Sequence, residues 1–421
     1  MTAGPIQLAP EVLDAPLERE MPLHVSVCVF AMIATSSVVM FEPAPCDLAF
    51  VLSWPLLLLT GHVTLVRPFN RLLYLGLGLF FVFNVISLTM ATEFFVGLRY
   101  FAITAYLIAY AALFVSLAAR YGSRLMEVVY IGMQVASVIT GGIGILARFR
   151  LIPNWEMFML TEVGLRVRST FKDANVFGPF LVAAMVLIIV KVIVDRKIKL
   201  WQVACLAIQA SGILLSFSRG AFLAALVSVV AAIGLCYWMP RYRQATRRVL
   251  WQLMPVFLLV FAGMVVLLVS TDLMDFFLQR FTYQSYDDIR FLNQQDILHT
   301  VTRKPLGIGP GQWNFDWYLH DVHSLFLRTW VEHGLPALIG LICLFVAWFG
   351  DAWKSIRTSS PNAHYVVACC AIVLGVLSNS FSIDTVHWRH FVLFAALGTG
   401  IVIHDIQLAK SKNDSPQQTA G

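Results

Sequence analysis

Residues 287–336 read DDIRFLNQQDILHTVTRKPLGIGPGQWNFDWYLHDVHSLFLRTWVEHGLP. They fall mostly within 271–323, the longest polar interval in a chain otherwise made of apolar runs. The stretch holds Arg290, a Pro/Gly-rich turn at 305–311, and His323 where a new helical pattern begins. It is expected to lie on the outer face of a membrane and to carry much of an active site.

The flanking sequence supports a membrane setting. The chain has 421 residues, 59% hydrophobic and 13% charged, with mean hydropathy +0.76. Soluble domains carry about 25% charged residues. Apolar runs of roughly 20 residues suit helices crossing a hydrocarbon core of ~30 Å, whereas a transmembrane barrel would show weaker alternating segments. The fold expected is all-α: one polytopic membrane domain over 23–405, between a cytoplasmic tail at 1–22 and a loose polar tail at 406–421. About twelve spans are predicted, near 23–41, 47–66, 72–91, 95–118, 126–147, 176–195, 200–216, 220–238, 250–270, 325–350, 363–380 and 388–405. The large outer loop, 271–324, then separates the ninth from the tenth. Residues 1–21 are polar and acidic, so no cleavable signal is expected.

The net charge of +6 reflects basic connections. With the N-terminus inside, Arg67/Arg71, Arg120/Arg124, Arg196/Lys197/Lys199, the 241–248 cluster, Lys354/Arg357 and Lys410/Lys412 all become cytoplasmic. Short loops 42–46 and 92–94 have no Lys or Arg. This positive-inside pattern places both termini in the cytoplasm and disfavours nucleic acid as the partner of the basic residues. The seven cysteines lie almost all in apolar runs and lack metal-ligand spacing, so they read as small core hydrophobes.

Long outer segments translocate whatever their charge, and several cations remain on that side. Arg168 and Lys172 precede a helix near Val176, with Asp173 or Asn175 as its cap; its N-terminus favours anions. Arg219 sits between two apolar runs that nearly touch, a tight turn that Gly220 permits. An Arg there is costly unless it faces a polar cavity or an anion. Arg99 and Arg389 fall near the same face. Taken singly, each such Arg is as readily a solvated or snorkelling side chain. After His323, the residues 323, 327 and 331 share a helical face, Asp321 is the expected N-cap, and Gly334 and Pro336 break the pattern.

Several guanidinium groups beside an imidazole suit a departing diphosphate. Arg grips phosphate oxygens bidentately and stays charged. Charge that develops on a leaving diphosphate is stabilised by such groups. A His is a suitable general base for an attacking hydroxyl. No Asp-x-Asp pair lies in the outer loops, and Asp287-Asp288 reads as a solvated turn rather than a metal site.

The S-F-S-R-G-A run at 216–221, the run from Arg290 to P-L-G-I-G-P-G at 305–311, and the pattern from His323 to Leu335 resemble the O-antigen ligase and polymerase superfamily. Ser324 stands where an Asn often follows the His. The resemblance implies transfer of a glycan from an undecaprenyl diphosphate donor to a hydroxyl of lipid A core or another glycan. The setting implied is the periplasmic face of the bacterial inner membrane, without metal or other cofactor. It implies that Arg219 and Arg290 hold the diphosphate and that His323 activates the acceptor, as catalytic residues. Arg168, Lys172, Arg99 and Arg389 are the expected substrate-binding residues. A polymerase of the same superfamily differs only in acceptor. A transporter or flippase also suits twelve spans, but such folds carry repeats and mid-span charges that this sequence does not display. A membrane scaffold has no use for Arg219 in its turn.

Overall fold

Apolar runs without hydrogen-bonding partners in lipid must close their backbone bonds internally, and helices do this within one segment. The computed structural model describes residues 20–64, 70–160, 166–270, 273–282, 285–313 and 321–414, and among them it has fourteen α-helices. They are α1 Leu23–Ala34, α2 Pro45–Leu59, α3 Arg71–Leu88, α4 Phe94–Tyr121, α5 Ser123–Arg148, α6 Ala174–Asp195, α7 Leu200–Leu215, α8 Arg219–Trp238, α9 Pro240–Ser270, α10 Leu273–Phe281, α11 Ser285–Arg303, α12 Leu325–Arg357, α13 Ala363–Ser380 and α14 Arg389–Asp414. A single isolated bridge, Met159 with Val167, is the β pairing seen among the described residues.

Among the described residues, eight helices (α3 to α6, α8 and α12 to α14) are long and apolar enough to cross a membrane. The chain is therefore a multi-pass helical protein. α1, α2 and α7 match predicted spans but have only 12, 15 and 16 residues. At ~1.5 Å per residue, a 12-residue helix reaches about 18 Å, short of the hydrocarbon thickness. α9 covers the ninth predicted span and begins with the basic 241–248 residues inside its first turns. Helices α10 and α11 occupy much of the polar interval 271–324. One expectation is corrected. The tail beyond 405 is not loose throughout, because α14 continues to Asp414.

α6 is the centre. Sixteen of its 22 residues are buried, whereas α3 buries only Gly76, Phe80, Asn84 and Ser87. α6 packs against α5, α7, α8, α9 and α13. The outer α3 lies along α12, and the two backbones nearly touch. A Cβ on Gly76 would stand 2.7 Å from the Gly340 carbonyl oxygen. Small residues let helices approach this closely where no hydrophobic effect drives association.

Successive long helices run between two polar ends. At one end Lys191 and the Tyr365 hydroxyl both donate to Glu127 (2.6 and 2.9 Å), and Asn362 donates to Asp405 (2.7 Å). Asn70 donates to Asp351 there (2.8 Å). The described basic connections cluster at this end, which also holds the start of α1 and the end of α14. The opposite end gathers Glu42, Asp47, Arg166, Ser218, His323, Arg328 and Asp384, and it carries the candidate site.

Candidate active site

The first part of the site is the turn between α7 and α8. Helix α7 ends at Leu215, and Phe217 takes a left-handed conformation (φ 45°) that reverses the chain. Ser218 caps α8 by accepting from the Ala221 amide (3.3 Å). Its hydroxyl donates to Asn175 Oδ1 (2.7 Å), and Arg166 donates to the same oxygen (2.9 Å) and to the Ser216 carbonyl (3.0 Å). The segment before α6 is thereby stitched to the turn. Asp173, not Asn175, caps α6, accepting from the Asn175 amide (2.9 Å).

Arg219 is the half-buried first residue of α8. It therefore stands where unsatisfied amides and the helix dipole add positive character. Gly220 serves a purpose other than the expected one. The turn's positive φ is at Phe217, while a Cβ on Gly220 would lie 2.1 Å from Asn379 Oδ1. Gly220 is bare because the Asn379 side chain at the end of α13, fully buried, fills that space. Helix α10 covers the turn, with Phe276 packed edge-on against Phe217 at 4.9 Å.

The second part is built by α11 and the segment after it. Arg290 is placed on α11, and its side chain lies outside the described residues. One turn further on, Asn293 accepts from the Trp313 indole (3.1 Å) and donates to the Asp321 carbonyl (2.9 Å). Helix α11 is thus tied to both limbs of the stretch that leads to His323. Ile297, Val301, Trp313, Val322 and Val331 close a small apolar core beneath it.

In the 305–311 turn, Gly307, Gly309 and Gly311 have φ of 86°, 107° and 68°. These conformations are open to glycine without steric cost. They let the Ile308 and Gly309 amides reach the Val331 and Glu332 carbonyls, both at 3.0 Å. The Gly311 amide donates to the Glu332 carboxylate (2.9 Å). His323 is half-buried and immediately precedes the N-cap of α12. That cap is Ser324, whose hydroxyl accepts from the Leu327 amide (3.4 Å), rather than the expected Asp321. The break expected at Gly334 is present, with φ 83° and ψ 170° inside α12.

These two parts meet the same element. Gly220 touches Asn379, and Phe326 packs on Phe381 at 4.9 Å. The C-terminal turn of α13 therefore separates the Arg219 turn from the helix start at His323.

The remaining expected residues lie at the same end of the bundle, in separate local contacts. Arg99 (3.2 Å) and Lys172 both pair with Glu42. The Lys172 ammonium, with help from Arg99, holds the Glu42 carboxyl below its usual range. Arg99 and Glu42 are 72% and 47% exposed, and exposed pairs contribute only ~0–1 kcal/mol, so these cations exchange partners cheaply. Arg168 donates twice to the Met157 carbonyl (3.2 and 3.1 Å). Arg389 is more committed: it grips Asp47 with two bonds (2.8 and 2.6 Å), and the Tyr106 hydroxyl adds a third to that carboxylate (2.7 Å).

Sequence reasoning passed over Arg328, Glu332, Asp384 and Asn379. A signal existed for the first two, since opposite charges four residues apart in an apolar helix are rare and carry a role. Nothing local marks Asp384 or Asn379. No group of three or more His, Cys, Asp or Glu side chains able to hold a metal ion occurs among the described residues. The cations are what the site offers a ligand, and they suit phosphate oxygens.

The clash at Gly220 yields a stability prediction. Gly220→Ala is expected to destabilise the protein by roughly 1–3 kcal/mol, the usual cost of overpacking. Adding Asn379→Ala should recover part of the loss, a non-additivity expected of touching residues. Thermal unfolding of the detergent-purified variants measures both.

No curated protein matches the chain. A family model described as O-antigen ligase matches residues 203–342, about a third of the sequence. That interval runs from α7 to the middle of α12 and contains Arg219, Arg290 and His323. The matched interval includes the stretches whose motifs resemble the O-antigen ligase and polymerase superfamily.

Proposed function

We propose that this protein is a membrane glycosyltransferase of the O-antigen ligase type, working at the periplasmic face of the bacterial inner membrane with both termini in the cytoplasm. It moves a glycan from undecaprenyl diphosphate to a hydroxyl of lipid A core or of another glycan. The observation that carries this reading is the meeting at α13 of the Arg219 turn and the helix that starts beside His323. Both lie within the family match.

In this reading the His323 imidazole takes the acceptor's hydroxyl proton as its oxygen attacks the anomeric carbon. The carbon–diphosphate bond breaks on the opposite face, so the anomeric centre inverts. The electron pair leaves with the diphosphate, whose added charge Arg219 and Arg290 stabilise where it develops. No metal is required of the mechanism. The α8 N-terminus adds favourable potential beside Arg219. Arg99, Lys172 and Arg168 receive the donor at the same end of the bundle, with Glu42 releasing its two cations to the incoming anion. Arg389 supports that end by fixing α14 to α2 through Asp47. A polymerase would use the same donor machinery with a second lipid-linked glycan as acceptor.

Three outcomes follow from these roles. Arg219→Lys keeps the charge but loses the bidentate fork; transfer is expected to fall at least tenfold, read as surface polysaccharide in complemented knockout cells. Wild-type transfer would remove Arg219 from the site. His323→Ala is expected to abolish transfer while undecaprenyl diphosphate still binds the purified protein. Loss of binding would make His323 a structural residue. A reporter fused near Asn314 should be periplasmic and one near Arg243 cytoplasmic, and the reverse result would invert the topology.

A further inference from the structure

Helix α12 is two pieces. Gly334 breaks its ladder, so the stub from Leu325 to His333 is not oriented by continuity with the longer piece below. Something else must aim the stub, and with it His323, two residues before its first turn. Besides the backbone bonds from Ile308 and Gly309 to the last turn of the stub, the ion pairs that do so converge on one buried guanidinium. Arg328 donates from Nε to Glu332 (3.2 Å) and from Nη1 to Asp384 (2.6 Å). The side chains of Arg328, Glu332 and Asp384 are only 9%, 3% and 16% exposed. The other carboxylate oxygen of Glu332 accepts from the Gly311 amide (2.9 Å), and the Arg328 guanidinium lies 5.4 Å over the Tyr100 ring. Asp384 also accepts from the Val386 amide (3.1 Å), which fixes its own connection. Beside the cluster a cavity of about 10 Å³, lined also by Thr104 and His387, has room for roughly one water.

We propose that Arg328, Glu332 and Asp384 are positioning residues for the transfer reaction: they lock the stub that bears His323 against the glycine turn and the α13–α14 connection. The inference rests on the reading of His323 as the base. Arg is required at 328 because one planar fork reaches two carboxylates in different directions. A Lys ammonium on a flexible stem does not hold that geometry. The diphosphate cations stand on other elements, α8 and α11, so losing the lock separates transfer from donor binding.

The test uses Arg328→Lys and Asp384→Asn in the full-length protein in nanodiscs. Amide hydrogen exchange, binding of undecaprenyl diphosphate, and transfer in knockout cells are measured together. For Arg328→Lys, exchange at 322–333 and 305–313 is expected to rise at least tenfold, with 337–357 unchanged. Affinity for undecaprenyl diphosphate stays within twofold and transfer falls at least tenfold. Asp384→Asn keeps the volume and leaves Arg328 paired with Glu332, so the same local pattern appears at smaller amplitude. Unchanged exchange, wild-type transfer, or loosening throughout the chain in both variants would overturn the proposal. If the wild-type protein does not bind undecaprenyl diphosphate, the functional reading fails instead, and the exchange data still report on the lock.

Discussion

One guanidinium bonded to Asp384 and to Glu332, whose other carboxylate oxygen holds the Gly311 amide, joins three parts of the chain that no helical ladder connects. A helix interrupted as α12 is at Gly334 gives up the stiffness that would otherwise set its direction. Burying three charges to restore it is costly, since desolvation opposes each ion. Well-packed apolar residues could give similar stability. Removing one partner, however, leaves a buried charge uncompensated, typically at a cost of roughly 3–5 kcal/mol. The arrangement therefore tolerates few alternatives, which suits a place where direction matters more than stability.

The same end of the bundle shows how differently apparently similar cations are held. Arg389 is largely buried and doubly bonded to Asp47, so it behaves as part of the framework. Arg99 and Lys172 share an exposed carboxylate and can trade it for a phosphate or an acidic sugar at little cost. Arg166 is spent on Asn175 and the Ser216 carbonyl, where it shapes the turn that presents Arg219. Burial and partner geometry, rather than charge alone, divide these residues into supports and candidates for substrate contact.

The opposite end is simpler. Its polar contacts, such as Glu127 with Lys191 and Asp405 with Asn362, tie neighbouring helices together, and its connections carry the basic residues that the positive-inside tendency favours. The contrast is between a basic, tied end and an end with a covered turn, a glycine-rich turn and exposed ion pairs.

Much of this was present in the sequence. Continuous apolar runs dictate helices because a backbone in lipid must satisfy itself, and their boundaries at Arg219, Ala363 and Arg389 fell close to where they were expected. A cap at Asp173 or Asn175 and a break at Gly334 were readable, since both follow from local backbone chemistry, and the structure chose Asp173. The motifs at 216–221 and 290–311 and the His323 pattern carried a resemblance to the O-antigen ligase and polymerase superfamily, and the family match spans all three. The helices α10 and α11 were not read, because polar residues conceal helical order that tertiary packing on Phe217 and Trp313 supports. The pairing of Arg328 with Asp384 across 56 residues, and of Arg389 with Asp47 across 342, could not be read at all. Gly220 was noticed for the wrong reason, because its neighbour Asn379 comes from a distant helix. Local sequence by itself determined the apolar helices and the break at Gly334; only the tertiary structure decided the polar helices α10 and α11 and which charges are spent inside the framework, since both depend on which distant side chains the packing brings together.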